Sequence, residues 1–203
     1  MAQKHLLALS GVYVAVGVTF ALLARSSSFP RDGASAFLAV LWLGFVLAIS
    51  FMEAWVKFRA PFVARHLVLD VGRTVFAALN VVELSLCAGL WLVRLVGDAH
   101  FSPLDGSILL VVLTVVLGAQ FALLYPRLEM RAQFALYDEL QTLPDESLTF
   151  HQKTLFAKIR RTVKKKVRPS PAFHVAYVLG EVTKVVLLAV FSLRILNHMP
   201  QMQ

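Results

Sequence analysis

The chain has few charged residues and almost no cysteine, and both shortages narrow the class of protein. Charged residues make up 16% of the 203 residues, against about 25% in soluble domains. The hydrophobic share is 58% and the mean hydropathy is +0.71, which is more apolar surface than one soluble core can bury. The single cysteine, Cys87, lies in an apolar run, so an intramolecular disulfide is excluded. These shortages favour a membrane-embedded protein over a soluble one.

The sequence also lacks the motifs of the common enzyme classes. It has no Walker loop, dinucleotide fingerprint, nucleophile elbow or zinc-protease signature. No histidine pair has the i, i+4 spacing of a helical metal site. We therefore predict no catalytic residue, no cofactor and no metal, and favour a non-enzymatic protein. His66 and His174, near the predicted inner ends of two spans, stay open as candidate haem ligands.

Five apolar segments approach or exceed the roughly 20 residues that a helix needs to cross a bilayer. Proline, glycine and charged breakers set their limits, because helices that are apolar all round show no useful periodicity. The first segment is longer than the apolar region of a secretory signal, although cleavage stays an alternative. Gly11, Gly17 and Gly89 are small enough to admit a neighbouring helix. The predicted fold is an all-α integral membrane bundle, a single domain over residues 1–203, with about five transmembrane helices at residues 6–24, 35–56, 67–96, 107–125 and 172–196.

The distribution of lysine and arginine predicts the orientation of these spans. Fifteen basic residues fall on the side of the N-terminus and the loops after spans 2 and 4, and four fall on the other side. Lys184 lies inside span 5. The sequence therefore predicts an inner N-terminus and an outer C-terminus. A bacterial cytoplasmic membrane is favoured, because the N-terminus does not resemble a transit peptide, and an organelle membrane is the alternative.

The segment between spans 4 and 5, residues 126–171, is predicted to be a basic helical loop on the inner side. Pro126 can open a helix in its first turn, and a second helix is predicted over residues 150–167, with Leu155 and Ile159 on one face. Its other faces are basic, which favours contact with anionic headgroups, although a solvated topology signal is the alternative. No nucleic-acid recognition element accompanies these charges, so the expected partners are membrane lipids and other membrane protein subunits. The predicted lipid-binding residues are Lys158, Arg160, Arg161, Lys164, Lys165 and Lys166.

Polar residues inside the spans form the candidate functional site, because they are costly in a bilayer. Glu181 and Lys184 are three residues apart and can share one helix face. The sequence predicts that Lys184 is buried against Glu181, Glu83 or both. The acidic residues outnumber the lysine, so at least one carboxylate is expected to be protonated, near water or paired elsewhere. The predicted cluster comprises Asn80, Glu83, Glu181, Lys184 and Glu53, of which Glu53 can instead reach Lys57.

Short strings in spans 2 to 5 resemble the transmembrane protein 205 family, a four-helix membrane family of poorly defined function. They are Trp55-Val56-Lys57-Phe58, similar to the family's Trp-Val-x-Phe, Ala64-Arg65-His66, similar to its Pro-Arg-His, and Tyr125-Pro126-Arg127, similar to its Glu-Pro-Arg. The resemblance implies a helical topology with a polar cytosolic stretch before the last helix. It implies no catalytic residue, and span 1 has no counterpart in that family.

Three functional hypotheses follow from the sequence. The first is an accessory or scaffold subunit of a membrane complex that contacts anionic lipid. The alternative is a small transporter or proton/ion relay that uses Glu83, Glu181 and Lys184. A third is a lipid enzyme at the inner surface, built from Asp70, Arg73, Glu53 and His66.

Overall fold

The computed structural model describes residues 2–26, 30–96 and 106–198, which form a bundle of long helices. Within the described residues, five stretches are long and apolar enough to cross a membrane: Leu7–Arg25, Arg31–Arg59, Arg65–Val96, Ser107–Leu140 and Ala172–Asn197. The prediction of an all-α membrane bundle is therefore confirmed. The helices are α1 (Ala2–Arg25), α2 (Arg31–Val46), α3 (Ala54–Val56), α4 (Arg65–Val96), α5 (Ser107–Ala119), α6 (Tyr125–Leu140), α7 (Phe150–Lys165) and α8 (Ala172–His198).

The second span is longer at both ends than the predicted residues 35–56. It begins at Arg31, so Gly33 lies inside the first turns of the helix rather than in a loop. After α2 the chain continues through a π-helical segment, π1 (Leu47–Glu53), then α3 and a 3-10 turn over Lys57–Arg59. Extended backbone at Ala60 finally ends the span.

The fourth span was predicted at residues 107–125, and the helix itself continues past residue 125. Helix α5 passes through a second π-helical segment, π2 (Gln120–Leu124), directly into α6. In an α-helix the ring of Pro126 would clash with the carbonyl four residues earlier, and its missing N–H would leave that carbonyl without a partner. The wider hydrogen-bond spacing of the preceding π2 accommodates both effects. The helix predicted to open at Pro126 is therefore continuous with α5, and it ends at Leu140.

Helices α6 and α7 form a hairpin beside α8. A capping box starts α7, since the Gln152 N–H donates to the Thr149 hydroxyl at 3.3 Å and the Thr149 N–H donates to the Gln152 side chain at 2.8 Å. Tyr137 of α6 stacks on Phe156 of α7 with ring centroids 5.8 Å apart. The helix predicted over residues 150–167 ends at Lys165, because the backbone of Lys166 is extended.

Helices α2, α4, α5 and α8 enclose the core, and α1 lies outside them against α4. The close approach of α1 depends on glycine. A Cβ added to Gly17 would lie 2.7 Å from the Gly89 Cα, a distance that only two facing glycines permit. Gly11 has no neighbour within 4 Å of such a Cβ, so the predicted helix contact forms at Gly17 and Gly89 only. Much of the remaining α1 surface is exposed and apolar, as expected of a lipid-facing helix.

The two ends of the bundle differ in charge and in packing. The basic end is defined here by residues 57–66 and 126–171. At the opposite end, Arg94 lies 3.5 Å from the Asp32 carboxylate and donates to Ser107 at 3.3 Å, which ties α2, α4 and α5 together. Between mid-bundle and this opposite end lies an apolar plug of fully buried side chains: Leu38, Leu86, Leu90, Leu110, Leu188 and Phe191.

Candidate functional site

Three ionisable side chains meet near the middle of the bundle and are called here the charged triad: Glu83, Glu181 and Lys184. The Lys184 ammonium bonds Glu83 Oε1 and lies 2.9 Å from Glu181 Oε1. Lys184 and Glu83 are 0% exposed and Glu181 is 2% exposed. The spacing of Glu181 and Lys184 on one face of α8 produces this geometry, and α4 supplies Glu83 from across the core. The triad holds two carboxylates and one ammonium.

Both π-helical segments supply a hydrogen bond to Glu181. Ser50, in π1, donates to Glu181 Oε2 at 2.8 Å, and Gln120, in π2, donates to Oε1 at 3.0 Å. The Gln120 amide also donates to the Tyr177 carbonyl at 3.1 Å. It passes close to Gly180, where an added Cβ would lie 2.6 Å from the Gln120 nitrogen. The π-helical turns and Gly180 together bring two polar side chains onto one buried carboxylate.

Glu83 is less completely satisfied than Glu181. Trp42 Nε1 donates to Glu83 Oε1 at 2.9 Å, so Oε1 accepts hydrogen bonds from both Trp42 and Lys184. The second oxygen, Oε2, is buried and has no hydrogen-bond partner among the described residues. Asn80 is buried one turn away, and its Oδ1 lies 3.5 Å from the Tyr177 hydroxyl. The buried network therefore includes Asn80 at its edge.

Glu53, the fifth residue of the predicted cluster, belongs elsewhere. Its carboxylate lies 3.0 Å from the Lys57 ammonium, one helical turn along the same span. This pair is partly exposed near the basic end, so including Glu53 in the buried cluster was wrong and its alternative partner Lys57 was right. Because Glu53 pairs with Lys57, only two carboxylates, those of Glu83 and Glu181, face Lys184.

A cavity of about 590 Å³ opens toward the basic end and reaches the triad. Its walls come from π1 and α3, the first half of α4, α6 and the start of α8, and Ser50 and Glu181 lie at its inner end. Glu181 lies seven residues after His174, which is at the rim, so the two positions are about 10 Å apart along α8. The volume lies within the range of about 300–1,000 Å³ typical of small-molecule sites. Glu181 is thus buried in the protein and yet adjacent to an open space.

The cations around the cavity differ in how they are paired. Arg73 donates to Asp70 at 2.8 Å and to Glu129 at 2.9 Å. Lys57 is paired with Glu53 and lies 5.5 Å from the centre of the Phe76 ring. Arg131 donates to the Pro169 carbonyl at 3.2 Å, and the described residues give it no carboxylate partner. Arg131 is therefore the rim cation whose charge is least compensated.

The remaining predicted residues lie apart from the triad. His174 lines the cavity, whereas His66 lies at the start of α4 outside the lining. No group of three or more His, Cys, Asp or Glu residues within residues 2–26, 30–96 and 106–198 is placed to hold a metal. The six predicted lipid-binding residues, Lys158, Arg160, Arg161, Lys164, Lys165 and Lys166, are all exposed on α7 and just beyond it.

Four residues of the network were not predicted: Trp42, Ser50, Gln120 and Tyr177. Gln120 carried a usable signal, because an amide inside the apolar run 107–125 is costly unless it is hydrogen-bonded. The other three are common residues of membrane helices, and their part in the network depends on the π-helical turn or on the neighbouring helix. Their positions could not be read from spacing alone.

No protein-family model, curated protein or solved structure matches this chain. The comparisons therefore neither support nor contradict the resemblance to the transmembrane protein 205 family. The charged triad and the cavity are the features from which a function is inferred.

Proposed function

We propose that this protein is a small membrane transporter or proton/ion relay whose switching group is the charged triad. The observation that carries the proposal is the open cavity that ends at Glu181. Glu83, Glu181 and Lys184 would bear one negative charge in excess if all were ionised, and an uncompensated charge is costly in an apolar interior. A proton or a small cation that enters through the cavity removes this cost.

The irregular helices support the same proposal. Transporters place their sites near mid-membrane, where interrupted helices present polar groups to the substrate or ion. Here π1 and π2 present Ser50 and Gln120 to Glu181, which lies nine residues into α8, about 14 Å along the helix. π-helical turns inside α-helices are frequent at functional sites. The position of the charged triad and of its irregular helices along the spans supports a transport role.

The described conformation would correspond to the state that is open toward the basic end. On the other side of the triad, the apolar plug and the Arg94–Asp32 contact close the bundle. A transport cycle then requires helices to move apart around Leu188 and Phe191 while the cavity closes. Transfer between the two sides would pass through Glu181 in both states.

Proton flux into liposomes that contain the purified protein tests this proposal. A pH-sensitive dye inside and an imposed membrane potential would report flux, and Glu181→Gln should abolish it. This variant keeps the shape of the side chain and leaves one carboxylate opposite Lys184, so we expect its thermal unfolding midpoint to be unchanged or higher. Glu139→Gln, which alters a partly exposed carboxylate 3.3 Å from Arg65, is the matched control and should retain flux. Equal flux in the wild type and Glu181→Gln would contradict the proposal.

The basic surface of α7 supports a second candidate, the accessory or scaffold role with anionic-lipid contacts. The six basic residues of this surface are exposed, while Ile159 on the other side of α7 is buried. They would face the inner leaflet of a bacterial cytoplasmic membrane, or the equivalent side of an organelle membrane, if the N-terminus is inside. Native mass spectrometry after mild-detergent purification from the host membrane would test this role. Detection of a reproducible protein partner would support this role, and detection of the chain alone would argue against it.

We also retain membership of a transmembrane protein 205-like family as a proposal. Its support is the order of the strings Trp55-Val56-Lys57-Phe58, Ala64-Arg65-His66 and Tyr125-Pro126-Arg127 along the chain. The first and the third of these strings contribute cavity-lining residues, namely Trp55, Lys57, Phe58 and Tyr125. Substitution at these positions should therefore alter ligand access rather than span formation.

A further inference from the structure

We infer that the cavity at the basic end is a binding site for one acyl chain of an anionic lipid, whose headgroup lies at Arg131 and His174. The site is separate from the basic surface of α7, and it requires no transport activity. Three features carry the inference: the composition of the walls, the unequal pairing of the rim cations, and the position of the cavity along the spans.

The walls of the cavity are suited to a hydrocarbon chain. Apolar side chains from four different elements line it, and the charged lining residues Lys57 and Arg73 are each paired with a carboxylate. An acyl chain that fills this space removes apolar wall surface from water, which is favourable. The apolar wall residues include Phe51, Val68, Leu69, Phe76, Leu128 and Val178.

The rim favours a negatively charged headgroup. Among the described residues the Arg131 guanidinium donates only to the Pro169 carbonyl, which leaves other N–H groups for a ligand. Arg73 adds a buried Nε that makes no hydrogen bond among the described residues, although its other nitrogens bind carboxylates. His174 is exposed on the same rim. A phosphate or carboxylate placed there would gain charge-assisted hydrogen bonds from Arg131.

An organic cation held by aromatic rings fits this cavity less well than an anionic lipid. The ring faces that would bind an organic cation are already used, since the Lys57 ammonium lies 5.9 Å from the centre of the Phe58 ring and 5.5 Å from that of Phe76. The guanidinium of Arg59 lies 4.7 Å from the centre of the Trp55 ring. A second cation at these rings would be repelled by Lys57 and Arg59.

The position of the cavity matches the depth of a lipid. Its rim lies at the end of the spans, where headgroups meet water, and the space extends about 10 Å inward along α8. Trp55 and Tyr125 line it, and these residue types prefer the membrane interface. A lipid headgroup can therefore stay at its normal depth while one chain enters the protein laterally.

Equilibrium binding to the purified full-length protein in a non-ionic detergent tests the inference with three probes. Lysophosphatidylglycerol has one chain and a negative charge, monoacylglycerol has the chain alone, and glycerol phosphate has the charge alone. We expect saturable binding of one lysophosphatidylglycerol per chain, weaker binding of monoacylglycerol and none of glycerol phosphate. Binding of glycerol phosphate as tight as that of the lipid would show a plain anion site and overturn the inference.

Variants distinguish lipid binding in the cavity from lipid binding at the basic surface of α7. Arg131→Gln should weaken lysophosphatidylglycerol about fivefold and leave monoacylglycerol unchanged. Ala135→Phe and, independently, Val178→Phe should fill the space and weaken both probes; two variants guard against one that misfolds, and each is checked by its unfolding midpoint. The control Lys164→Gln/Lys165→Gln should change neither affinity. Equal weakening by the control, or full binding by a folded cavity-filling variant, would refute the site.

The lipid site and the proposed relay can be tested independently of each other. The binding assay measures lipid and needs no flux, whereas the liposome assay measures protons and depends on Glu181. A protein that binds lysophosphatidylglycerol normally in Glu181→Gln and yet shows no flux would retain the lipid site without the relay.

Discussion

The two halves of the bundle, on either side of the charged triad, use the same helices in opposite ways. Toward the opposite end, α2, α4, α5 and α8 close around fully buried leucine and phenylalanine side chains, and Arg94 ties three of these helices together. Toward the basic end, the continuations of the same spans separate and leave a cavity of about 590 Å³. Both π-helical segments lie in this second half. In this protein the half that contains the cavity is also the half that contains both irregular helical segments.

Removing Lys184, the cation at the boundary between the two halves, should lower the stability of the protein most. Lys184→Met leaves two buried carboxylates without a positive partner, so we expect a loss of about 3–5 kcal/mol in unfolding free energy. The control Arg168→Met, which breaks a half-exposed pair with Asp138, should cost at most about 1 kcal/mol. Unfolding in detergent with increasing denaturant measures both variants. Glu83→Gln/Lys184→Met should recover part of the loss, and equal stability of Lys184→Met and the control would mean that the triad is not a structural boundary.

The same leucine truncation in each half tests the difference in packing directly. Leu188→Ala removes a fully buried side chain from the plug and should cost about 2–5 kcal/mol, because the closed half cannot relax into the space. Leu128→Ala removes a partly buried side chain from the cavity wall and should cost clearly less. Thermal unfolding midpoints of the two variants provide the measurement. A larger loss for Leu128→Ala would reverse the comparison.

Two glycines of α1 differ in how closely they pack against the bundle. Gly17→Ala places a Cβ against the Gly89 backbone, which has no flexible end to move, so overpacking of about 1–3 kcal/mol is expected. Gly11→Ala, nearer the basic end, meets open space and should be neutral or stabilising by about 0.5–1 kcal/mol through helix propensity. The thermal unfolding midpoints of the two variants provide the measurement. If both variants behaved alike, α1 would not be held at the glycine contact.

The smallest effect is expected in the hairpin of the basic end. Thr149→Ala removes the cap of α7 and should cost about 1 kcal/mol of local stability. Hydrogen exchange of the first α7 amides should accelerate severalfold while exchange in α8 stays constant. Ser147→Ala, which loses only a bond from its hydroxyl to the Pro144 carbonyl, is the neighbouring control. Acceleration throughout the bundle would show that the hairpin is not a separate, less stable unit.

The predictable features of this protein depend on length, hydropathy and helical spacing. Spans 1, 3 and 5 agree with the structure within a few residues, because charged and proline-rich segments bound long apolar runs. The contact between Glu181 and Lys184 followed from their spacing on one face. Span 2 is three or four residues longer at each end than predicted, and the π-helical turn at Gln120–Leu124 that joins α5 to the helix opened at Pro126 was not predicted. The hydrogen bonds of Ser50 and Trp42 and the cavity itself arise from how different spans pack, and no local pattern encodes that.

The uninterrupted course of the chain from Ser107 to Leu140 has a mechanical consequence. Its 34 residues form a rod about 50 Å long at 1.5 Å per residue, whereas the hydrocarbon core of a bilayer is about 30 Å thick. Some 20 Å of the rod therefore lies beyond that core, where it carries one arm of the α6–α7 hairpin, while its inner part carries Gln120. Such a rod is a lever. A force that swings the hairpin at the membrane surface also turns the segment that holds the amide against Glu181.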